Sequence, residues 1–482
     1  MSVTGERMSE VVTDGEGRRS ARTVPYPLPS LLSYRVTLVA FGLFVIFAWM
    51  PRVTTMGDSD IGIGALLLAI MATMTLFAPK HARLDRQSEG YRLAIFAGVG
   101  FLLFWGYLGI FGLDDPFRAG RLLLSAGQGV VLVFVISQVL SVRALRISVA
   151  LACVTLVGTC LLSLYNYLGG APTSLTILIP GHDRASGLFK NPNQFGMTVV
   201  MGVPFAVALY FRRGFRVLSV LLTCTIFIGL LMAASKTNLT LGVLLLLATM
   251  SYLLASHGRL QTLLVVLPLA SVTILFGGVP LLELVNPRAA EIITELAVGG
   301  NIGENATVAQ RIDMWSHSLE EARRSPMFGQ GTGQKIDTTA QVHSHSHNMF
   351  VDLVRTTGIP GVIGALVFVL ASCSLAVHTL LRLTRLPAQV ACELPGYPIV
   401  VGSSFAVFSY VVSNQMSDSF GPSTSVFFWL CVGLLLRRDD LLFGGASGAS
   451  AVPCRRRERA PDARVRDRSS SPPAATRGRT RS

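Results

Sequence analysis

Three histidines alternate along a short polar segment in the second half of the chain. They are His343, His345 and His347, and Asn348 follows the last of them. An imidazole gains or loses a proton near neutral pH, so a histidine at the edge of a membrane can act as a general base. His347 is the candidate base because it lies nearest to the hydrophobic segment that follows, and because Asn348 can orient its ring.

A metal site is the alternative interpretation of the same histidines. Alternating histidines share one face of an extended strand, which is a plausible arrangement for binding Zn²⁺. However, no carboxylate lies within the cluster, and Asp337 and Asp352 flank it only at a distance. We therefore predict one catalytic histidine and no metal. A purely structural role is the remaining alternative, and the choice among the three histidines stays open.

Cations in two other polar segments indicate an anion site. Arg184 and Lys190 lie in the segment 169–195, and Lys236 lies in a short turn between two apolar runs. Arg can hold phosphate oxygens by two parallel hydrogen bonds, whereas Lys offers a compact point charge. The alternatives are solvated charges at the membrane surface and, for Lys236, a side chain that extends from the helix end to the interface. Asn193 belongs to a turn that precedes the next apolar run.

The long polar segment 282–348 has a helical part. Arg311 and Trp315 are four residues apart within 306–315 and therefore share one helix face. The charged residues that follow indicate a solvated helix end: Glu320, Glu321, Arg323 and Arg324. A glycine-rich turn at 325–333 then breaks the helix, and its backbone N–H groups are able to approach an anion.

Long apolar runs account for most of the chain, which is 51% hydrophobic and 14% charged. About twelve of them approach the roughly 20 residues that a membrane-spanning helix needs. They are 31–50, 61–78, 93–112, 122–142, 147–168, 196–211, 217–234, 238–256, 260–281, 349–377, 398–412 and 424–436. The sequence thus predicts an all-α, polytopic integral membrane protein with about 12 transmembrane helices and one large external loop, 282–348, between helices 9 and 10.

Basic residues predict the orientation, because short cytoplasmic loops carry an excess of Lys and Arg. They collect in alternate loops, at Lys80, Arg83, Arg86, Arg92, Arg143, Arg146, Arg212, Arg213, Arg216, Arg259, Arg382, Arg385, Arg437 and Arg438. All of these lie on one side if both termini are cytoplasmic. The histidines, Lys236 and the segment 169–195 then lie on the external side.

Both ends of the chain have the composition of disordered segments. Residues 1–30 are polar, and 441–482 is rich in Arg, Ser, Pro, Ala and Gly. From Arg437 onward there are twelve Arg and five acidic residues, which is half of the net charge of +14. A basic cytoplasmic tail can rest on anionic membrane lipids, and no nucleic-acid partner is expected.

These motifs together resemble the bacterial O-antigen ligase and polysaccharide polymerase family. Four features carry the resemblance: Arg184-x-Ser-Gly-x-Phe-x-Asn-Pro-Asn, the Ser235-Lys236 turn, Arg311-x-x-x-Trp315 with Pro326-x-x-Gly329-x-Gly331, and His347-Asn348 followed by Gly358-x-Pro-Gly361. Each motif alone is loose, but the four occur in order and on the same predicted face.

The resemblance implies a transferase in the bacterial cytoplasmic (inner) membrane that works at its external, periplasmic face. The implied donor is an undecaprenyl-diphosphate-linked glycan, the acceptor is a hydroxyl on a lipid, a glycan or a wall polymer, and no cofactor or metal is needed. By the same resemblance, Arg184 and Arg311 would bind the diphosphate and His347 would be the base. Lys236 stands where many members have Arg. Asn193, Asn348 and Trp315 are expected to support the site, and Lys190 to add charge.

Two choices of function stay open at this stage. The motifs do not separate a polymerase, which uses another lipid-linked unit as acceptor, from a ligase. A transporter or flippase of lipid-linked glycans is the alternative from another class. A transporter is expected to carry polar, interrupted helices near the membrane midplane, often in two related halves, whereas the polar residues here cluster at one face.

Overall fold

The computed structural model describes residues 8–13, 19–24, 28–47, 63–79, 84–110, 127–168, 178–179, 184–189, 191–262, 286–298, 306–331, 336–337, 342–343, 346–415 and 422–444. Everything said below about structure concerns these residues.

The described chain is mainly helical. In chain order its helices are α1 (Leu28–Phe47), α2 (Ile63–Thr75), α3 (Arg86–Leu108), α4 (Gly127–Val139), α5 (Val142–Tyr167), α6 (Pro192–Val200), α7 (Val203–Tyr210), α8 (Arg216–Ala233), α9 (Lys236–Ser256), α10 (Pro287–Val298), α11 (Ala306–Arg324), α12 (Met349–Leu383), α13 (Ala388–Glu393), α14 (Tyr397–Ser413), α15 (Pro422–Leu436) and α16 (Arg438–Phe443). The last turn of α4, Val135–Val139, is π-helical.

Among the described residues, seven helical segments are long and apolar enough to cross a membrane. They lie in α1, α3, α5, α6 with α7, α8, α9 and α12, and shorter apolar helices lie in α2, α4, α14 and α15. The protein is therefore a multi-pass membrane protein. Eleven of the twelve predicted apolar runs coincide with these helices, whereas 260–281 lies almost wholly outside the described residues.

The long helix α12 organises the bundle by packing along α3. Gly98 in α3 and Gly364 in α12 allow the two backbones to meet: a Cβ on Gly98 would lie 2.7 Å from the carbonyl oxygen of Gly364. With 35 residues and about 1.5 Å of rise per residue, α12 is about 50 Å long. It is kinked at Gly358, which has φ 69° and ψ −175°. Because it exceeds the membrane thickness, α12 connects the two ends of the bundle.

The contacts between helices define these two ends. We call one the His347 end: it contains the start of α6, the turn between α8 and α9, the start of α12 and the end of α14. We call the other the Arg438 end: it contains the start of α3, the end of α12 and the helix α16. An apolar core that includes Phe428 and Trp429, each at most 1% exposed, separates them.

Short antiparallel strand pairs complete the described structure. They are β1 (Met8–Thr13) with β2 (Arg19–Val24), β3 (Leu178–Ile179) with β4 (Arg184–Ala185), and β5 (Ile336–Asp337) with β6 (Val342–His343). The first pair lies within 1–30, where disorder is expected from composition. β-branched residues such as Val11, Val12 and Val24 favour this pairing. Of the tail 441–482, residues 445–482 lie outside the described residues.

Candidate active site

His347 occupies a tight turn just before α12. Its backbone is in the left-handed region, with φ 55°, a conformation that His, Asn and Asp adopt more readily than most side chains. Asn348 begins the helix: its Oδ1 accepts hydrogen bonds from the N–H groups of Phe350 and Val351 at 3.1 and 3.2 Å. The amide oxygen of Asn348 is thus a helix cap, and the cap fixes the direction in which α12 leaves the turn.

Ser346, the residue before His347, is hydrogen-bonded through both its carbonyl oxygen and its N–H group. The carbonyl oxygen of the buried Ser346 accepts a hydrogen bond from Trp315 Nε1 at 2.8 Å. Its N–H donates to Asp352 Oδ1 at 3.4 Å. Trp315 lies in α11, which confirms the helix predicted from spacing, and the half-buried Arg311 lies one turn before it. The helix that carries Arg311 is therefore fastened to the His347 turn.

The glycine-rich turn after α11 packs against the kink of α12. The N–H of Gln330 donates to the carbonyl of Arg355 at 2.6 Å, and the N–H of Gly331 donates to that of Thr356 at 3.1 Å. At the kink, a Cβ on Gly358 would lie 2.4 Å from the carbonyl oxygen of Met327. Because both N–H groups are used within the protein, this turn fixes the kink and does not offer them to an anion.

A buried arginine joins α11 to α12 beneath this turn. Arg355 is 1% exposed, and its guanidinium lies 3.2 Å from Asp352 Oδ1 and 3.6 Å from Glu321 Oε2. Glu321 thus faces the protein, although its sequence context indicated a solvated helix end. Asp352 connects Arg355 to the His347 turn through the N–H of Ser346. No sequence motif indicates this cluster, because its three charges lie on two separate helices.

Arg184 also lies at the His347 end. It is in β4, next to the end of α8. Its Nε donates to the carbonyl oxygen of Ala233 at 2.9 Å, and its Nη2 donates to Asn193 Oδ1 at 2.6 Å. Burial lowers the pKa of the Arg184 guanidinium to about 10, and the positive charge of Arg288 acts in the same direction. Arg288, in α10, is a cation of this region that the sequence motifs did not indicate.

Lys236 is the first residue of α9 and is exposed. The turn before it is sharp, because Ala234 has a left-handed backbone with φ 43°. The partly positive N-terminus of α9 adds to the charge of Lys236. This turn directly follows Ala233, which accepts the hydrogen bond from Arg184, so the two cations lie on adjoining pieces of backbone.

Buried amides and a hydroxyl connect the Arg184 region to the His347 turn. Asn238 Nδ2 donates to the carbonyl oxygen of Asn193 at 3.1 Å, and Ser413 Oγ donates to Asn238 Oδ1 at 3.1 Å. The segment after Ser413 then meets the start of α12: Asn348 Nδ2 donates to the carbonyl oxygen of Gln415 at 3.3 Å. A chain of contacts thus runs from Arg184 to Asn348 through the end of α14.

The end of α14 belongs to the same region, although no motif in the sequence indicates it. Its only signal was a run of polar residues, Ser413, Asn414 and Gln415, directly after an apolar run. Of the other predicted site residues, Lys190 lies outside the described residues. The same holds for His345 and for the side chain of His343. The structure therefore does not test the metal alternative.

A comparison with family models gives one match, in which residues 220–366 match the family described as O-antigen ligase. The matched segment contains Lys236, Arg311 and His347. Arg184 precedes it but is hydrogen-bonded to Ala233, which lies within it. A comparison with curated proteins found no match. Residues 220–366 of this multi-pass membrane protein are thus similar to an O-antigen ligase domain, which supports a relation to the O-antigen ligase-related proteins.

Proposed function

We propose that the protein transfers a glycan from an undecaprenyl-diphosphate carrier to a hydroxyl acceptor at the outer face of the bacterial cytoplasmic membrane. One observation supports this most directly. A histidine turn and a cationic turn, about 110 residues apart in the chain, are joined by hydrogen bonds at the same end of the bundle. Both turns lie in the segment that matches the O-antigen ligase family.

The cations of the His347 end have the chemistry that a diphosphate requires. Arg184, Arg311 and Lys236 would neutralise the charge that develops as the carrier leaves, with Lys190 and Arg288 as further sources of positive charge. Fixed cations in a partly buried site stabilise such a charge more than water does, because they are already oriented. The hydrogen bonds from Arg184 to Asn193 and Ala233 keep its guanidinium in place before the donor binds.

His347 would act as the general base. The acceptor oxygen attacks the anomeric carbon of the glycan, the new C–O bond forms, and the acceptor proton moves to the imidazole. The bond between that carbon and the phosphate oxygen breaks, and undecaprenyl diphosphate leaves with the electron pair. Such a base contributes roughly 10²–10⁴-fold in rate. Direct displacement inverts the anomeric centre, so a product of retained configuration or a covalent glycosyl-enzyme would contradict this step.

The basic residues of the opposite end support an external location of the site. Arg382, Arg437 and Arg438 lie at the Arg438 end, together with Asp85 at the start of α3. An excess of Arg marks the cytoplasmic side. The His347 end would then face outward, where undecaprenyl-linked glycans, other lipids and wall polymers are accessible. No step requires a nucleotide, a metal or a cofactor.

The first experiment is the chain-length profile of undecaprenyl-linked glycans in a strain that lacks this gene. Accumulation of single repeat units would indicate a polymerase, and long polymers retained on the carrier would indicate a ligase. An unchanged profile would contradict the proposal. Complementation with wild type and with a His347→Asn variant, at equal membrane levels, connects the profile to the proposed base.

Lys236 provides a second test within the same strain. Lys236→Arg keeps the positive charge and is expected to restore more activity than Lys236→Ala, because neutralisation of the diphosphate depends mainly on charge. Equal loss in both variants would mean that the shape of the lysine, or the turn itself, is what the site needs.

A further inference from the structure

Arg438 is a buried cation whose guanidinium donates no hydrogen bond to any of the described residues. Its side chain is 1% exposed. In the part of the chain that the structure describes, its Nε, Nη1 and Nη2 atoms are buried and donate no hydrogen bond. A desolvated guanidinium with unused donors is strongly destabilising. The site therefore favours a partner that supplies acceptor oxygens.

The preceding residue shows what a satisfied arginine looks like at the same place. Arg437 is 3% exposed, and its Nε donates to Asp440 Oδ2 at 2.6 Å. Its Nη1 donates to the carbonyl oxygens of Ile136 and Leu140 at 3.2 and 2.9 Å. Arg437 thereby caps the π-helical end of α4. Arg437 therefore has acceptors for its hydrogen bonds, whereas Arg438 has none among the described residues.

The groups around Arg438 make the Arg438 end positive. The nearest carboxylate oxygen is Asp85 Oδ2, at 3.9 Å from Nη2. Arg382 Nη1 donates to Asp439 Oδ2 at 2.9 Å. His378 is within electrostatic range of Arg438, Arg382 and Arg385. Among the described residues, Arg438, Arg382 and Arg385 thus lie near the titratable imidazole of His378, and Asp85 and Asp439 are the carboxylates paired with two of them.

The rim of this cluster is open, although Arg438 itself is covered. The side chain of Arg382 is 47% exposed and that of Asp439 is 37% exposed, while that of Asp85 is 46% exposed. A salt bridge between two exposed side chains is weak. The Arg382–Asp439 pair can therefore separate at little cost when a stronger acceptor arrives.

We propose that Arg438 and Arg382 form a binding site for a phosphate-type oxyanion at the cytoplasmic surface of the membrane. The oxyanion replaces Asp439 as the partner of Arg382 and accepts hydrogen bonds from Arg438. The guanidinium fork suits phosphate oxygens because it presents two parallel donors. Basic pockets between transmembrane helices on the cytoplasmic side bind anionic headgroups, so the phosphodiester of an anionic phospholipid is one source of the ligand and free phosphate is the other.

This site is independent of the proposed transfer reaction. Arg382 is 33 positions beyond the start of α12 at Met349, which places it about 50 Å along the helix from the His347 turn. The test is therefore a binding measurement on the full-length protein and needs no glycan substrate.

The experiment compares thermal unfolding midpoints of the purified, detergent-solubilised protein. The midpoint is followed while phosphatidylglycerol, phosphatidylcholine or sodium phosphate is added, with sodium chloride matching ionic strength. Phosphatidylglycerol is expected to raise the midpoint in a saturable way, because a ligand that binds only the folded state stabilises it. Phosphatidylcholine, which has no net charge, is expected to do so much less.

Four variants separate this site from general surface charge. In Arg382→Gln and Arg438→Gln the half-saturating concentration of phosphatidylglycerol is expected to rise roughly tenfold, since each loses a charge-assisted hydrogen bond. Asp439→Asn is expected to bind more tightly, because it removes the competing carboxylate. Arg213→Gln is the matched control, because Arg213 is also on the cytoplasmic side but its side chain is 94% exposed.

The possible outcomes decide both the site and the source of the anion. A shift by sodium phosphate alone that depends on Arg438 would support the site and assign it to free phosphate. If Arg438→Gln does not fold, Arg382→Gln and Asp439→Asn carry the test. Equal responses in wild type, Arg382→Gln and Asp439→Asn, or no response in wild type, would overturn the proposal.

Discussion

Two arginines at opposite ends of the bundle are equally buried and have very different partners. Arg355 and Arg438 are each 1% exposed. Arg355 lies between the carboxylates of Asp352 and Glu321, whereas Arg438 has a single carboxylate oxygen at 3.9 Å. Burial alone therefore does not indicate what a charged side chain does. The partners that the protein supplies distinguish an arginine that orders the His347 turn, such as Arg355, from one that we propose binds a ligand, such as Arg438.

The largest expected effect tests whether catalysis is confined to the His347 end. His347→Asn should lower the rate of glycan transfer roughly 10²–10⁴-fold, because the base is lost. Asn tolerates the left-handed backbone of this position, so the turn is retained. The measurement is transfer by purified protein from a lipid-linked donor to its acceptor. The matched control is Arg213→Gln at the opposite end, which should keep wild-type activity, and an active His347→Asn variant would assign the base elsewhere.

The second prediction sets the two arginines directly against each other. Arg355→Met leaves the partly buried carboxylates of Asp352 and Glu321 without their partner and should lower the free energy of unfolding by about 1–3 kcal/mol. Arg438→Met removes an unsatisfied charge and should leave the stability in lipid-free detergent equal or higher. Both are measured by the unfolding midpoint in the same detergent. An equal loss in the two variants would remove the distinction between them.

A double-mutant cycle tests whether Arg355 and Glu321 belong to one ion-pair network next to the His347 turn. Arg355→Met and Glu321→Gln should show an interaction energy of about 0.5–3 kcal/mol, as residues in one ion-pair network do. The control cycle uses Arg324 and Glu320, which form an exposed pair at 2.8 Å one helical turn apart. That pair should give about 0.3–0.5 kcal/mol. Equal values in the two cycles would mean that Glu321 is effectively solvated.

The smallest expected effect concerns the hydrogen bond that fastens α11 to the turn. Trp315→Phe keeps an aromatic ring but removes the donor to the carbonyl of Ser346, and should cost about 0.5–1.5 kcal/mol of stability. Because the displaced segment carries His347, kcat should fall more than KM rises. The kinetic constants and the unfolding midpoint are measured on the same preparations. A change in KM alone would show that Trp315 contacts the donor instead.

The local parts of this molecule are predictable from sequence, and the contacts between distant segments are not. Apolar runs gave the helices, and the four-residue spacing of Arg311 and Trp315 gave α11, because both depend on neighbours in the chain. The environment of Glu321 was misjudged since it depends on how α11 sits on α12. The short turn at Lys236 is predicted from the apolar runs on either side of it, whereas no motif predicts the turn at His347.

The connection between these turns through Asn238 and Ser413 could not be predicted. It depends on the axial register of α9 and α14, which are packed side by side but lie about 175 residues apart in the chain. No local pattern in the sequence indicates that register. The relation between Arg438 and Asp85 is hidden for the same reason, because α3 and α16 lie about 350 residues apart in the chain.

The link at Ser413 and Gln415 also has a consequence for biosynthesis. These residues emerge from the ribosome up to 68 positions after His347, roughly 3–14 s later at bacterial-to-eukaryotic synthesis rates. Until then Asn348 lacks its acceptor at Gln415 and Asn238 lacks its donor at Ser413, so the His347 turn of a nascent chain is not yet joined to Lys236 and Arg184 through α14. The proposed site is therefore complete only after α14 has been synthesised and inserted into the membrane.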